Sequence, residues 1–142
     1  MNWQIVDCQP EYLDALRRLY REVRIQTFVW ADTSTFTLDD FDSATRDESV
    51  RVAISAGRPI GFVSWWLPDN FVHNLYVDPR VVRQGVGKAL LNQCLAKLGR
   101  PATLKCLQKN TNAVAFYQKQ GWQIKAEGQS AEGAYYLMML TE

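Results

Sequence analysis

Residues 49–77, "SVRVAISAGRPIGFVSWWLPDNFVHNLYV", hold three strand-like runs separated by very short turns. Val50, Val52 and Ile54 alternate, "AGRP" turns the chain, "IGFVSWWL" follows, "PDN" turns it again, and "FVHNLYV" completes the set. Turns this short join antiparallel strands only, because a parallel return needs a crossover of a dozen or more residues. Any fold available to this chain must therefore carry a central three-stranded meander.

The flanks add helices to it. "WQIVDC" (residues 3–8) alternates as a strand, and Pro10 sits where a first helical turn tolerates it. Leu13, Leu16, Tyr20 and Val23 recur at helical spacing, predicting a helix to about Gln26. Thr37, followed three residues on by Asp40, is a capping-box-like start for a short helix through Phe41. After the meander, Val86, Leu90, Leu91, Cys94, Leu95 and Leu98 form one apolar helix face, which Gly99 and Pro101 stop. "ATLKCL" reads as a strand and "NTNAVAFYQKQ" as a helix ended by Gly121. "WQIKAEG" with "AYYLMML" reads as a closing hairpin. Hairpins and helical crossovers together predict an α+β class around a mixed sheet, in a single domain over residues 1–142.

Charge is unevenly placed. The net charge is only +1, yet nine basic residues from Arg80 to Lys125 are uninterrupted by any Asp or Glu. Residues 31–48 instead carry Asp32, Asp39, Asp40, Asp42, Asp47 and Glu48 against Arg46 alone. A region of one sign draws ligands of the other, although solvated faces can also segregate this way. No apolar run approaches the roughly 20 residues of a membrane span, and the N-terminus shows no basic flank with a long apolar stretch. Cys8, Cys94 and Cys106 lack Cys-x-x-Cys spacing, which predicts reduced thiols in a cytoplasmic protein. With one histidine and three scattered cysteines, no metal site is expected, and no G-x-S-x-G elbow is present.

The turn after the meander, "VDPRVVRQGVGKALL", places Gly85 and Gly87 at the mouth of a helix. A Rossmann fingerprint fails because Leu90 stands where its third glycine belongs. A Walker loop fails at Val82 and Ala89. What remains is general: free N–H groups and a positive dipole end, with no side chain to keep a phosphate away. A plain strand-to-helix turn would look the same.

A second motif sharpens this. "VRQGVG" (Val82–Gly87) resembles the [Q/R]-x-x-G-x-[G/A] turn of the GNAT superfamily of acetyl-CoA-dependent N-acetyltransferases. "NTNAVAFYQKQGW" resembles that family's N-x-x-A-x-x-F-Y-x-x-x-G-[FW], through Asn112, Phe116, Tyr117, Gly121 and Trp122, with Ala115 displaced by about one place. The order of elements from Trp3 to Leu140 is similar too, which implies about seven strands flanked by about four helices. Val82 departs from the usual Gln or Arg, with Arg83 and Gln84 beside it.

The resemblance implies acetyl-CoA as cosubstrate. Its pyrophosphate would rest on the backbone of Val82, Arg83, Gln84, Gly85, Val86, Gly87 and Lys88. Its pantetheine arm would pair with the strand edge at Leu75, Tyr76 and Val77, and Asn112 would reach the arm or its phosphate. Tyr117 would be the general acid, or else an aromatic packed on the sheet. His73 is the candidate base, with a structural histidine as the alternative. An irregularity near Leu75 would aim an N–H at the oxyanion. The acceptor would be an amine-bearing small molecule or peptide, with no nucleic acid or membrane partner, and the protein a monomer or homodimer. Aromatics and acids in "TFVWADTSTFTLDDF" and "SWWLPDN" suit an acceptor that arrives as a cation, or else the aromatics fill the core and the acids face water. A fold that holds CoA as a sensor, without turnover, is the other reading.

Overall fold

The computed structural model describes residues 2–81 and 84–142. The meander forms as β2 (Ser49–Ser55), β3 (Arg58–Trp66) and β4 (Phe71–Val77), paired antiparallel throughout. β1 (Gln4–Asp7) adds to one side, with Val6 opposite Val52. On the other side lie β5 (Ala102–Leu107), β6 (Gln123–Ser130) and β7 (Gly133–Leu140). The sheet order is β1-β2-β3-β4-β5-β7-β6, and only the β4/β5 neighbours are parallel. The mixed α+β sheet of seven strands is therefore observed among the described residues.

Helices cover both faces. Helix α1 (Leu13–Thr27) follows a 3-10 turn at Pro10–Tyr12, and α2 is Asp40–Ala44. With Leu16, Leu19, Tyr20, Val23 and Phe41 they pack on Val52, Ile54 and Phe62. The opposite face carries Ala53, Val63 and Trp65 beneath α3 (Val86–Leu95) and α4 (Thr111–Lys119). Successive strand residues thus feed two different cores, which is why residues 60–65 are buried on both faces, Ser64 included.

Two helix boundaries moved. The short helix starts at Asp40 rather than Thr37. Asp40 does reach back to the Thr37 N–H (2.9 Å), as a capping box requires, but Thr37 Oγ1 also donates to Asp40 (3.0 Å). The hydroxyl is therefore spent on the carboxylate and does not cap a continuing helix. Helix α3 ends at Leu95, short of the predicted Leu98, which is buried in the turn beyond it.

Candidate active site

β4 and β5 pair at only two positions, Phe71 with Thr103 and Val72 with Leu104. Both strands then run on, β4 to Val77 and β5 to Leu107, without pairing to each other. The cause lies in the β3/β4 register, which jumps from Ser64–Asn74 to Trp65–Val72 and leaves His73 as an extra residue. Such a bulge bends its strand, and here β4 turns away from β5. The wedge between them is a cavity of about 220 Å³, lined from β4 by His73 to Tyr76, from β5 by Lys105 to Leu107, and from α4 by Tyr117.

The open edge has hydrogen-bonding capacity to spare. The Asp78 N–H donates to Ile60 O (2.8 Å), so even-numbered residues beyond the bulge turn their amides toward β3. Leu75 and Val77 therefore turn theirs toward the wedge. At its far end stands the mouth of α3, where Gly85 holds φ +77° as the residue before the helix. A Cβ at Gly87 would lie 3.6 Å from Val77 and 3.8 Å from Phe116, so strand end, helix mouth and α4 converge there. Gln84 and Lys88 are exposed beside it, while Val82 and Arg83 lie outside the described residues.

Two proton-handling groups face the wedge. Tyr117 is 9% exposed, with its ring edge-on to Phe116 and Trp122. No group among the described residues accepts from its hydroxyl, and burial holds this phenol protonated well above the ordinary value, reinforced by the Cys106 and Cys94 thiols. His73 lies on the opposite wall. Its Nδ1 is 2.7 Å from Glu48 Oε2, and Glu48 has 9% of its side chain exposed. The other oxygen of Glu48 accepts from Ser64 Oγ (2.9 Å), which accepts from Asn74 Nδ2 (2.8 Å). Asn74 also donates to Ala44 O (3.2 Å). A carboxylate only accepts, so the chain of bonds assigns the hydrogen to Nδ1 and leaves Nε2 free.

This wedge at a bulged fourth strand, a glycine-mouthed helix and an α4 tyrosine agree with what residues 12–122 match, the model of the Acetyltransferase (GNAT) family. The chain belongs to that family. Peptidyl-lysine N-acetyltransferase YiaC of Escherichia coli K12 is 40% identical over 68 residues, 48% of this chain and 45% of that protein. Peptidyl-lysine N-acetyltransferase YjaB of Salmonella typhimurium is 36% identical over 66 residues, 46% of this chain and 43% of that one. This chain thus matches about half the length of these relatives. Among solved structures, apo YjaB from Escherichia coli has a TM-score of 0.78 at 20% identity, covering 98% of this chain and 97% of that one. The PaiA N-acetyltransferase of Thermoplasma acidophilum, solved with coenzyme A, reaches 0.81 at 18% identity with complete coverage of both chains. At those identities the likeness is one of fold.

Set against the GNAT motifs, several of the expected positions gather around one wedge. Leu75, Tyr76 and Tyr117 line it, and Val77 and Gly87 close its far end. Asn112 does not line it. That residue is exposed on α4, and Asn110, which precedes the helix, lines the wedge instead. The sequence held the signal, because the family pattern runs from Asn110 through Ala113 to Phe116 and Tyr117 without displacement. Glu48 carries no such signal, since nothing in its spacing separates it from the other acids before it.

Much of the acidic and aromatic acceptor region is partnered within the protein. Asp40 pairs with Arg24 (3.1 Å), Asp42 with Arg17 (2.9 Å), and Asp32 accepts from the Ser34 N–H and hydroxyl. Phe28, Phe36, Phe41 and Trp65 are buried, and the cation over Phe36 is the chain's own Arg24, 3.9 Å from the ring centroid. These groups satisfy one another. The basic stretch is likewise partly internal: Arg80 pairs with Asp78 (2.6 Å), and Arg100 donates to the carbonyls of Leu95, Leu98 and Glu142.

Proposed function

We propose that this chain transfers an acetyl group from acetyl-CoA to a primary amine by direct attack on the thioester, as a single N-acetyltransferase domain. The observation that carries the reading is the separation of β4 from β5, with Tyr117 and the His73–Glu48 pair on facing walls of one wedge. The thioester supplies an activated acetyl carbonyl. The residues supply the rest. The bare mouth of α3 and the outward amides of Leu75 and Val77 fit a diphosphate and an extended amide-bearing arm. The bulge at His73 turns backbone toward the reacting carbonyl, whose oxygen gains charge as the amine nitrogen bonds to carbon. His73 Nε2 takes the amine proton, with Glu48 holding the ring, and the C–S pair leaves on sulfur, which the Tyr117 hydroxyl protonates.

A module that only held CoA would need the helix mouth and the strand edge. The two proton-handling groups favour turnover. YiaC and YjaB are named for peptidyl-lysine, so lysine side chains are one acceptor class to test. The reading includes a cytoplasmic site of action, in keeping with free Cys8, Cys94 and Cys106. No helix among the described residues is long and apolar enough to cross a membrane. The test is thiol release from acetyl-CoA with a panel of polyamines, amino acids and lysine peptides, checked by mass spectrometry of the products. Acetylated amine is expected. Tight CoA binding with thiol release no faster than in buffer, across the panel, would overturn turnover.

A further inference from the structure

The acceptor wall of the wedge holds more hydrogen-bond donors than the protein uses. Arg24, in the last turn of α1, lines the wedge and is only 6% exposed. Its guanidinium is held between two rings, 4.5 Å from the Tyr20 centroid and 3.9 Å from that of Phe36. Its one hydrogen bond among the described residues runs from Nη1 to Asp40 (3.1 Å). Nε and Nη2 have no acceptor there, yet neither is sealed from solvent. A guanidinium carries five N–H donors in a planar fork, and burying it for one bond is costly. A tie between α1 and α2 needs no such group.

Beside it lie two phenols in the same condition. Tyr20 (7% exposed) and Tyr76 line the wedge with ring centroids 5.1 Å apart. Neither hydroxyl has a partner among the described residues, and burial raises both above the ordinary phenol value, so both stay protonated near neutrality. Tyr117 lines the same cavity, so these donors share one opening with the general acid. Planar fork plus phenol O–H is the donor set that suits a carboxylate. Glu132, also in the wedge, and Glu48 behind His73 supply the opposite charge for an ammonium.

We propose that the acceptor is an amine that also bears a carboxylate, and that Arg24 with the Tyr20 and Tyr76 hydroxyls holds that carboxylate. The proposal rests on the acetyl-transfer reading and narrows its substrate to amino-acid-like molecules over bare polyamines. A peptide qualifies only through a carboxylate close to its reacting amine.

The test uses acid and carboxamide pairs of graded length: glycine, β-alanine, 4-aminobutyrate and 6-aminohexanoate, each against its own amide. For at least one pair, the acid should exceed the amide in kcat/KM by tenfold or more, as a paired and desolvated carboxylate implies about 1.5–3 kcal/mol. That ratio should fall toward one in Arg24→Gln. It should fall severalfold in Tyr20→Phe and Tyr76→Phe, which keep the rings and protect the test if Arg24→Gln does not fold. Calorimetry of the N-acetylated acids and amides with the CoA-loaded protein reads the same preference without turnover. Amides equal to acids in both measurements would overturn the carboxylate pocket while leaving acetyl transfer standing. Selective binding of N-acetyl acids with no transfer to any amine would sustain the pocket and overturn the activity.

Discussion

Replacing Tyr117 by Phe removes one oxygen and little else. The ring keeps its edge contacts with Phe116 and Trp122, at centroid separations of 5.3 and 6.0 Å. The hydroxyl has no acceptor among the described residues, so its loss should change folding stability by less than about 1 kcal/mol. The barrier is a different matter. General acid catalysis contributes about 100-fold, which is about 2.7 kcal/mol in the transition state. Burial raises this phenol above its ordinary value, so it stays protonated through the neutral range and the deficit should be constant from about pH 6 to 9. Single-turnover thiol release is the right assay, because slow product release in steady state would mask the chemical step. The expected outcome is a drop of about 100-fold with CoA affinity nearly unchanged by calorimetry. Turnover within about twofold of the parent would refute the acid role. So would a deficit that vanished as pH rose toward 9, since the phenol would then be losing its proton in that range.

Glu48→Gln removes the charge behind His73 while keeping an oxygen for its Nδ1, and kcat should fall about tenfold with CoA affinity unchanged; a parental kcat would make the pair structural. Gly87→Ala places a Cβ at ordinary contact distances, so the fold should tolerate it, and CoA binding should weaken about tenfold if phosphate approaches there. An unaltered dissociation constant would remove the helix mouth from the site. Gly85→Val should cost about 1–2 kcal/mol of stability, measured by urea unfolding, because a branched residue is strained at φ +77°. Alkaline stability follows from burial. Cys106 and Cys94 are pushed up to about 11 and about 12, and Tyr20, Tyr76 and Tyr117 are raised as well. The folded protein keeps protons that the unfolded chain releases above its ordinary thiol and phenol values of 9.0 and 10.0. Stability should thus be whole below about pH 9 and fall above it, by up to about 1.4 kcal/mol per pH unit for each group. A urea midpoint flat to pH 11 would contradict this.

Element identity was legible because it is local. Two-residue alternation made the meander, and four-residue recurrence from Leu13 to Val23 made α1, without reference to anything distant. Gly85 was legible for the same reason, since a positive φ at a helix entrance is a demand on one residue. Tyr117 and the strand edge at Leu75 came from motif resemblance, and in the structure both line one opening. The two-residue displacement from Asn110 to Asn112 was an error of alignment, and no folding physics stood behind it.

The remaining features depend on pairings that no local pattern encodes. Whether β7 or β6 lies against β5 is decided by which face of the last hairpin completes the core with Met138 and Leu140. The bulge at His73 exists only in the register between β3 and β4, and that register brings Glu48 to a histidine 25 positions away. The spent acids Asp32, Asp40 and Asp42 look like part of a cation site in one dimension, because sequence shows charges without showing their partners. Only after α1 packs beside α2 does Arg17 meet Asp42 and Arg24 meet Asp40. A charge is available to a ligand when folding leaves it unpaired, and pairing is a property of distance in space. The sequence alone therefore determined the strands, the helices and the bare helix mouth, while tertiary structure decided which polar groups remained open to an acceptor.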